Sequence, residues 1–238
     1  MSEHIVRSFT DQLDALANAV AQMGGMAESQ LSNAVDAVAK RDSRLAEAAI
    51  ESDERIDKLQ QAVEEQALKV LALRQPMAVD LRTTLAAIKI AHEIERIGDL
   101  AKNIGRRALV LNREPPLRLA QSLARMGRQA LAQVKAVLDS YSARDAEAAK
   151  AVWRHDDEID GIYNSLFRET LTYMMEDPRT IGLCAHLLFI AKNLERVGDH
   201  ATNIAETVHY MTTGTYLQAG RPKADLTSTT PVPHETPH

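Results

Sequence analysis

Four pairs of acidic side chains, each pair four residues apart, recur at matching positions in the two halves of this chain of 238 residues. Two of the pairs belong to a phrase written twice, ERIGDLAKNI over residues 95–104 and ERVGDHATNI over residues 195–204. The other two lie in DERID and DDEID, one before each copy. Because residues four apart share one face of an α-helix, each pair presents both carboxylates to the same side. The eight residues are Asp53, Asp57, Glu95, Asp99, Asp156, Asp160, Glu195 and Asp199.

The turns between helices determine where these pairs meet. The DERID pair precedes a predicted turn near Gln75 by about as many residues as Glu95 and Asp99 follow it, which places both pairs at one level of a helical hairpin. The second half repeats this arrangement around a predicted turn near Asp177. Since packed helix axes are about 8–10 Å apart, facing rotations would gather four carboxylates in each half.

Clusters of carboxylate oxygens bind hard or borderline cations such as Mg, Ca, Mn or Fe. Asn103 and Asn203 lie four residues beyond the acidic pairs and could add carbonyl ligands. The same carboxylates also fit ordinary solvated helix faces, whose charge would be balanced by neighbouring Arg55, Arg96 and Arg196. The spacing leaves both interpretations open.

Composition indicates long helices and excludes several classes of function. Aromatic residues make up 4% of the chain, and the net charge is −5 with acidic and basic residues interspersed. No basic patch typical of a nucleic-acid-binding protein is visible. The longest nearly apolar run, residues 183–191, is about half of the roughly 18 residues that a membrane span needs. We therefore expect a soluble, cytoplasmic protein with no nucleic-acid partner, and we expect the single cysteine, Cys184, to lie in the core.

The apolar periodicity predicts an all-α fold with two tandem, sequence-related three-helix bundles, an elongated shape and a flexible C-terminal tail. Proline-containing breaks at residues 75–76, 115–116 and 177–178 separate the periodic stretches, and Asp177 is predicted to be a helix N-cap. Helices are predicted over residues 4–40, 43–74, 77–111, 117–140, 143–175 and 179–212. The predicted domains are residues 1–112, residues 113–212 and a disordered tail over residues 213–238.

Two further features of the repeated phrase need an explanation. Gly98 and Gly198 fall in mid-helix, where glycine costs about 1 kcal/mol relative to alanine. Close helix packing or space for an ion cluster would each compensate for that cost. His200 follows Asp199, and the sequence leaves open whether it faces solvent or assists the second carboxylate group.

The chain resembles the PhoU family of bacterial accessory proteins of phosphate-specific transport. The resemblance rests on LALRQPMAVDLRTTLAAIKIAHEIERIGDLAKNI at residues 71–104, on AKNLERVGDHATNIAE at residues 191–206, and on DERID and DDEID. It covers residues 4–212. It implies two similar three-helix bundles whose acidic motifs bind divalent or trivalent metal ions, sometimes as iron or zinc clusters, with Mn or Mg as further candidates. By position, the ligands implied are the eight carboxylates named above.

The resemblance also implies a function. Family members are negative regulators of the phosphate-starvation response, thought to link the ATPase subunit of a phosphate ABC transporter to a sensor histidine kinase. The implied protein is therefore a non-enzymatic adaptor in signal transduction and phosphate homeostasis, a homodimer, and peripheral to the membrane only through these partners. His200 departs from the family pattern, where an apolar residue follows the motif, so we expect two sites of unequal affinity.

Two other functions remain to be weighed. A carboxylate-bridged di-metal oxidase would need two Glu-x-x-His pairs on facing helices, and the predicted helices hold one, Glu206 to His209. No nucleophile with a neighbouring base and no glycine-rich phosphate loop is present, so we expect no catalysis. A helical scaffold without metal fits the periodicity equally well.

Overall fold

The computed structural model describes residues 2–116, 119–155 and 157–217, with side chains from residue 9 onward except at residue 157. Within those ranges the regular structure is entirely helical, which confirms the all-α prediction. The helices are α1 (Ser2–Ala39), α2 (Ser43–Glu51), α3 (Asp53–Arg74), α4 (Ala78–Leu111), α5 (Ala120–Ala143), α6 (Ala146–Arg154), α7 (Asp157–Glu176) and α8 (Ile181–Thr213), with a 3₁₀ turn at Pro178–Thr180. At about 1.5 Å per residue, α1, α4 and α8 are each roughly 50 Å or more in length.

The predicted helix over residues 43–74 is wrong in one respect, because it is interrupted at Ser52. The Ser52 hydroxyl donates to the carbonyl of Ala49 at 3.1 Å, and the Ser52 carbonyl accepts from the backbone N–H of Arg55. A serine side chain that bonds to its own helix competes with the regular hydrogen-bond ladder. The interruption makes Asp53 the first residue of α3.

The predicted helix over residues 143–175 is interrupted at the equivalent place. Its first part, α6, ends at Arg154, where the backbone N–H of His155 donates to the carbonyl of Val152 at 3.2 Å. The second part, α7, begins at Asp157. Each half of the molecule therefore breaks its middle helix directly before the acidic motif, a feature that apolar periodicity did not reveal.

Aspartates start several of these helices. Asp42 and Asp145 cap α2 and α6, and each side chain accepts a hydrogen bond from a backbone N–H at 2.9 Å. Asp177 accepts from the backbone N–H of Arg179 at 3.1 Å, which confirms the predicted N-cap, although a 3₁₀ turn precedes α8. Asp42 and Asp145 are 103 positions apart, and this offset relates the first two helical segments of one half to those of the other.

The predicted apolar seams of the two long third helices are buried. In each half this helix packs against every other helix of its bundle: α4 against α1, α2 and α3, and α8 against α5, α6 and α7. The buried seam residues are Ile90, Ile94, Ile97, Ala101, Ile104 and Ala108 in α4, and Ile190, Leu194, Val197, Ala201, Ile204 and Val208 in α8. Cys184 is buried as predicted.

The two bundles pack against each other through equivalent helices, α4 against α8 and α1 against α5. The α1–α5 contact is reciprocal. A Cβ on Gly24 would lie 2.8 Å from Leu138, and a Cβ on Gly127 would lie 2.6 Å from Val35. Both glycines and both aliphatic residues are related by the 103-residue offset, so the halves meet across an approximate twofold axis. The buried side chains of both halves form one continuous hydrophobic core.

The C-terminal end of α8 falls inside the predicted tail. Gly214 caps the helix with φ +76°, and the following residues fold back: Tyr216 stacks on Tyr210 with ring centroids 4.4 Å apart. The rest of the predicted tail, residues 218–238, lies outside the described residues. Within the described ranges, every helix is too short or too polar to cross a membrane.

Candidate metal centre

The first group of carboxylates lies between the start of α3 and the middle of α4. The Asp53 side chain is buried, with 9% of its surface exposed, and it accepts a hydrogen bond from the Lys102 ammonium. The same ammonium lies 3.2 Å from an oxygen of Asp99. Lys102 therefore joins carboxylates of two different helices, and the interruption at Ser52 places one of them in the first turn of α3, where the helix dipole favours negative charge.

Asp57 and Glu95 complete this group of four. Burial raises the pKa of Asp57 above its ordinary value, and the negative charges of Asp53 and Asp99 raise it further, while Lys102 opposes them. Burial likewise raises the pKa of Glu95, with Asp99 and Asp57 adding to the effect and Arg96 reducing it. The four carboxylates thus lie close enough to repel one another, as expected from their equal distance from the turn.

Carboxylate side chains are suitable ligands for a cation, but in this structure Asp53 and Asp99 already contact the Lys102 ammonium. One oxygen of Glu95 is buried without a hydrogen bond, and its positive neighbour, the Arg96 Nε, is 3.5 Å away. A buried carboxylate oxygen in this state is a suitable ligand for a hard cation. Across the described residues, however, no three His, Cys, Asp or Glu side chains are arranged so that they could hold a metal ion. A cation at this site would have to displace the Lys102 ammonium.

The second group of carboxylates has the same residue types but a different lysine. Asp160 and Glu195 are both 6% exposed, and an oxygen of Glu195 is 2.9 Å from the Lys192 ammonium. Burial raises the pKa of Glu195, Lys192 opposes this, and the charges of Asp199 and Asp160 add to it. Three of the four predicted residues therefore lie together.

The fourth residue, Asp156, falls outside the described residues. Lys192 also lies over the ring of Tyr163, with its ammonium 5.1 Å from the ring centroid. This cation–π contact holds the lysine against α7.

Gly98 is explained by close packing. A Cβ at this position would lie 3.0 Å from the Gln30 side-chain oxygen and 3.3 Å from a terminal carbon of Ile56. The glycine therefore lets α4 approach α1 and α3, and the first of the two sequence interpretations is confirmed at this position. Gly198 is buried at the equivalent place in α8.

The two candidate asparagine ligands lie in different surroundings. Asn103 is exposed on α4. The Asn203 amide nitrogen instead donates to a carboxylate oxygen of Glu93 at 3.2 Å, across the contact between α4 and α8. The same oxygen is 2.6 Å from Nδ1 of His200. The His200 side chain is 16% exposed, so the interpretation of this residue as solvent-exposed is wrong.

Glu93 is a residue that sequence reasoning missed. Burial tends to raise its pKa, but the hydrogen bonds from His200 and Asn203 outweigh burial and hold the pKa below its ordinary value. The sequence carried no signal for this contact because its members are more than 100 positions apart. Lys102 was also missed, although its position three residues after Asp99 on a helix was a usable signal.

The Glu206 to His209 pair, which motivated the di-metal oxidase, is used in other contacts. Glu206 accepts a hydrogen bond from the Trp153 indole at 2.9 Å. His209 is buried, with Nδ1 3.0 Å from the carbonyl of Thr215. Neither contact involves the carboxylate groups.

The architecture thus defines a class: a duplicated three-helix unit with one buried acidic group in each half. Comparisons with known proteins agree. The PhoU domain matches residues 20–108 and again residues 123–208. A phosphate-specific transport system accessory protein PhoU homolog from Caulobacter vibrioides is 52% identical over 96% of this chain and all of its own length. The PhoU protein of Escherichia coli is 37% identical over 90% of this chain and 89% of its own.

Solved structures show the same relationship. The crystal structure of PhoU from Pseudomonas aeruginosa has a TM-score of 0.85 and 38% identity, and it covers 87% of this chain and all of that one. PhoU from Streptococcus pneumoniae, described as a phosphate transport system regulatory protein, has a TM-score of 0.81 at 28% identity, over 89% of this chain and all of that one. The chain belongs to the PhoU family.

Proposed function

We propose that this protein is a non-enzymatic regulatory accessory protein of phosphate-specific transport. In this proposal it is a cytoplasmic adaptor between the ATPase subunit of a phosphate ABC transporter and a sensor histidine kinase, and it restrains the phosphate-starvation response. Relatives that align over at least 90% of the chain are phosphate-specific transport system accessory proteins, which supports the transport role. The kinase, the homodimer and the direction of control rest on the family resemblance.

We further propose that each acidic group binds a divalent or trivalent cation, with Fe, Zn, Mn and Mg as candidates. The observation that carries this is a group of neighbouring carboxylates in each half, where burial raises the pKa of Asp57, Glu95 and Glu195 and the charges of the adjacent carboxylates raise it further. A bound cation would supply the positive charge that keeps these groups ionised side by side. Asp53, Asp57, Glu95 and Asp99 would hold it in the first half, and Asp156, Asp160, Glu195 and Asp199 in the second.

The competing proposal is a helical scaffold in which the lysines are permanent counter-ions. The Lys102 bridge between Asp53 and Asp99 favours it, because that ammonium already neutralises part of the charge. The two proposals differ in metal content. Elemental analysis before and after chelation, with the paired variants Asp53→Asn/Asp57→Asn and Glu195→Gln/Asp199→Asn, separates them.

The matched control for that analysis is Glu65→Gln, which removes an exposed carboxylate of α3 that is not among the eight proposed ligands. Each paired variant should lose the metal of its own half, while the control keeps the wild-type content. Metal that stays at wild-type content in both paired variants would leave the scaffold as the better proposal.

The adaptor role is tested by affinity capture from cells grown at high and low phosphate. Wild-type bait should retain an ABC-type ATPase and a sensor histidine kinase, identified by mass spectrometry. Glu65→Gln bait should capture the same two proteins, since it changes one exposed carboxylate only. Recovery of neither protein by folded bait would contradict the adaptor role without bearing on metal binding.

A further inference from the structure

The second half of the molecule contains a groove of about 410 Å³ between α5 and the α6–α7 segment. Ala132 and Ala136 of α5 form one wall, and Ala148 and Ala151 of α6 form the other. The 103-residue offset gives the corresponding residues of the first half, which include Ser29, Asn33 and Leu45. Two polar residues and one leucine are thus replaced by alanine along the walls of a single groove.

The first half shows what normally fills this space. Leu45 of α2 and Met26 of α1 are partly buried and pack against the hydrophobic core. Their counterparts are Ala148 and Gln129, and the Gln129 amide donates to Glu158 at 2.6 Å, with both of these residues lining the groove. The groove therefore lies where the second half has alanine in place of leucine and glutamine in place of methionine.

A buried glutamine in the wall of the groove has lost its hydrogen-bond partner. Gln133 is 9% exposed, and neither its amide nitrogen nor its amide oxygen has a partner among the described residues. Its counterpart, Gln30, donates to the backbone carbonyl of Ala49 at 2.8 Å. The equivalent carbonyl, that of Val152, instead accepts from the backbone N–H of His155 at the end of α6. A buried amide without a partner is unfavourable, and rotation into the groove gives it access to an occupant.

We propose that this groove is a docking site for a segment of a partner protein that inserts a leucine or methionine side chain and presents a backbone carbonyl to Gln133. The chemistry of the occupant follows from the first half, where the same space holds Leu45 and Met26 and the same glutamine bonds a backbone carbonyl. An apolar groove with one buried polar group is the usual form of a specific peptide site. The inference goes beyond the proposed function and holds whether or not a metal binds.

The test uses the full-length protein and small probes that carry this chemistry. N-acetyl-leucinamide and N-acetyl-methioninamide supply the side chain and the carbonyl, N-acetyl-glycinamide lacks the side chain, and 4-methyl-1-pentanol lacks the carbonyl. Binding is followed by NMR of alanine methyl groups. The first two probes should shift the Ala132, Ala136 and Ala148 methyl signals with affinities at least fivefold tighter than the other two.

Filling the groove provides the second arm. Ala148→Leu restores the residue of the first half and should weaken N-acetyl-leucinamide binding at least tenfold, while the urea midpoint of the variant stays the same or rises. Gln133→Leu should weaken binding about fivefold and also raise the midpoint, because it removes the unpaired amide. Glu147→Leu adds the same side chain to the exposed face of α6 and should leave binding unchanged.

Three results would overturn the proposal. The first is equal binding of the glycinamide and the leucinamide, and the second is wild-type binding by the folded Ala148→Leu variant. The third is a concentration-dependent self-association, seen by sedimentation, that Ala148→Leu abolishes, since this would assign the groove to a second copy of the chain instead of a partner.

Discussion

In each half of the molecule one lysine pairs with the carboxylates. The two lysines occupy different positions relative to the repeated phrase. Lys102 is the eighth residue of the first copy, and Thr202 stands at its equivalent in the second. Lys192 precedes the second copy, and His92 stands at its equivalent in the first. Lys102 joins α3 to α4, whereas Lys192 pairs with Glu195 of its own helix.

The two lysines therefore neutralise carboxylates in different ways, one between two helices and the other within a single helix. Lys102 is 22% exposed and neutralises a buried carboxylate of another helix, so removing it affects the packing of the bundle. Lys192 is 40% exposed and its ion pair joins residues three apart on one helix, while its contact with α7 is the cation–π contact with Tyr163. A cation can therefore enter the second group after a side-chain rotation, but it enters the first only by replacing a contact between helices. The expected unequal affinity of the two sites would follow from this.

The largest effect on stability is expected from the variants Lys102→Met and Lys192→Met, which test this comparison directly. In metal-free protein, Lys102→Met should cost about 2–3 kcal/mol of unfolding free energy, because it leaves Asp53 buried without a counter-ion. Lys192→Met should cost less, about 1–2 kcal/mol, because Lys192 is the more exposed lysine and pairs within its own helix, although the change also leaves Glu195 buried without its counter-ion. Urea unfolding with chelator present measures both. Equal losses in the two variants would show that the lysines play the same role.

An intermediate effect is expected from Glu95→Gln and Glu195→Gln. The pKa of Glu95 is raised in the folded protein, so folding retains a proton that the unfolded chain releases near 4.5, the ordinary value. The metal-free protein should therefore lose stability as pH rises from 4.5 through the raised pKa, and Glu95→Gln should reduce that loss, with Asp57 and Glu195 causing the remainder. At pH 7 the gain should stay below about 1 kcal/mol because the side chain is partly solvated.

Glu195→Gln is the control in the other half. Its gain should be smaller, because the substitution also removes the ion pair with Lys192. Unfolding midpoints measured between pH 4 and pH 8 give the slope for each protein. A slope that Glu95→Gln leaves unchanged would contradict the assignment of the loss to this carboxyl.

The smallest effect should come from His92→Lys, which gives the first half the lysine position of the second. His92 is exposed on α4, three residues before Glu95, so the new lysine can pair with that carboxylate. Stability should rise by about 0.3–0.5 kcal/mol, the usual range for such a pair on a helix. The pKa of Glu95, followed by carboxyl NMR, should fall. His92→Gln controls for loss of the imidazole, and a rise of equal size in that variant would exclude the ion pair.

Much of the fold could be predicted from the sequence because long helices repeat apolar residues at a fixed spacing. Ile94 and Leu194 are buried where their periodicity placed them. The interruption before Asp53 could not be predicted in this way, since Ser52 disturbs the hydrogen-bond ladder without changing the apolar pattern. Helix breaks made by a single side chain leave no periodic signal.

The carboxylate groups were predictable to the same extent. Asp57 and Asp99 lie at similar distances along the chain from the turn. They come together because both helices of the hairpin have the same rise per residue. Arg96 was expected to balance this charge, and it lies 3.5 Å from Glu95. The two lysines were not predicted, since a lysine is common on any helix surface. The contact of Glu93 with His200 depends on how the two bundles dock, and local spacing contains no information about that.

The reciprocal packing of Gly24 on Leu138 and of Gly127 on Val35 has an evolutionary consequence. A polypeptide with only one of the repeats would expose to water the faces of α1 and α4 that the other repeat covers here. Such an ancestor would have needed to pair with itself, and tandem gene duplication then fused the two copies into one polypeptide. Once fused, each copy was free to diverge, so that a lysine or a leucine lost from one repeat could be kept in the other.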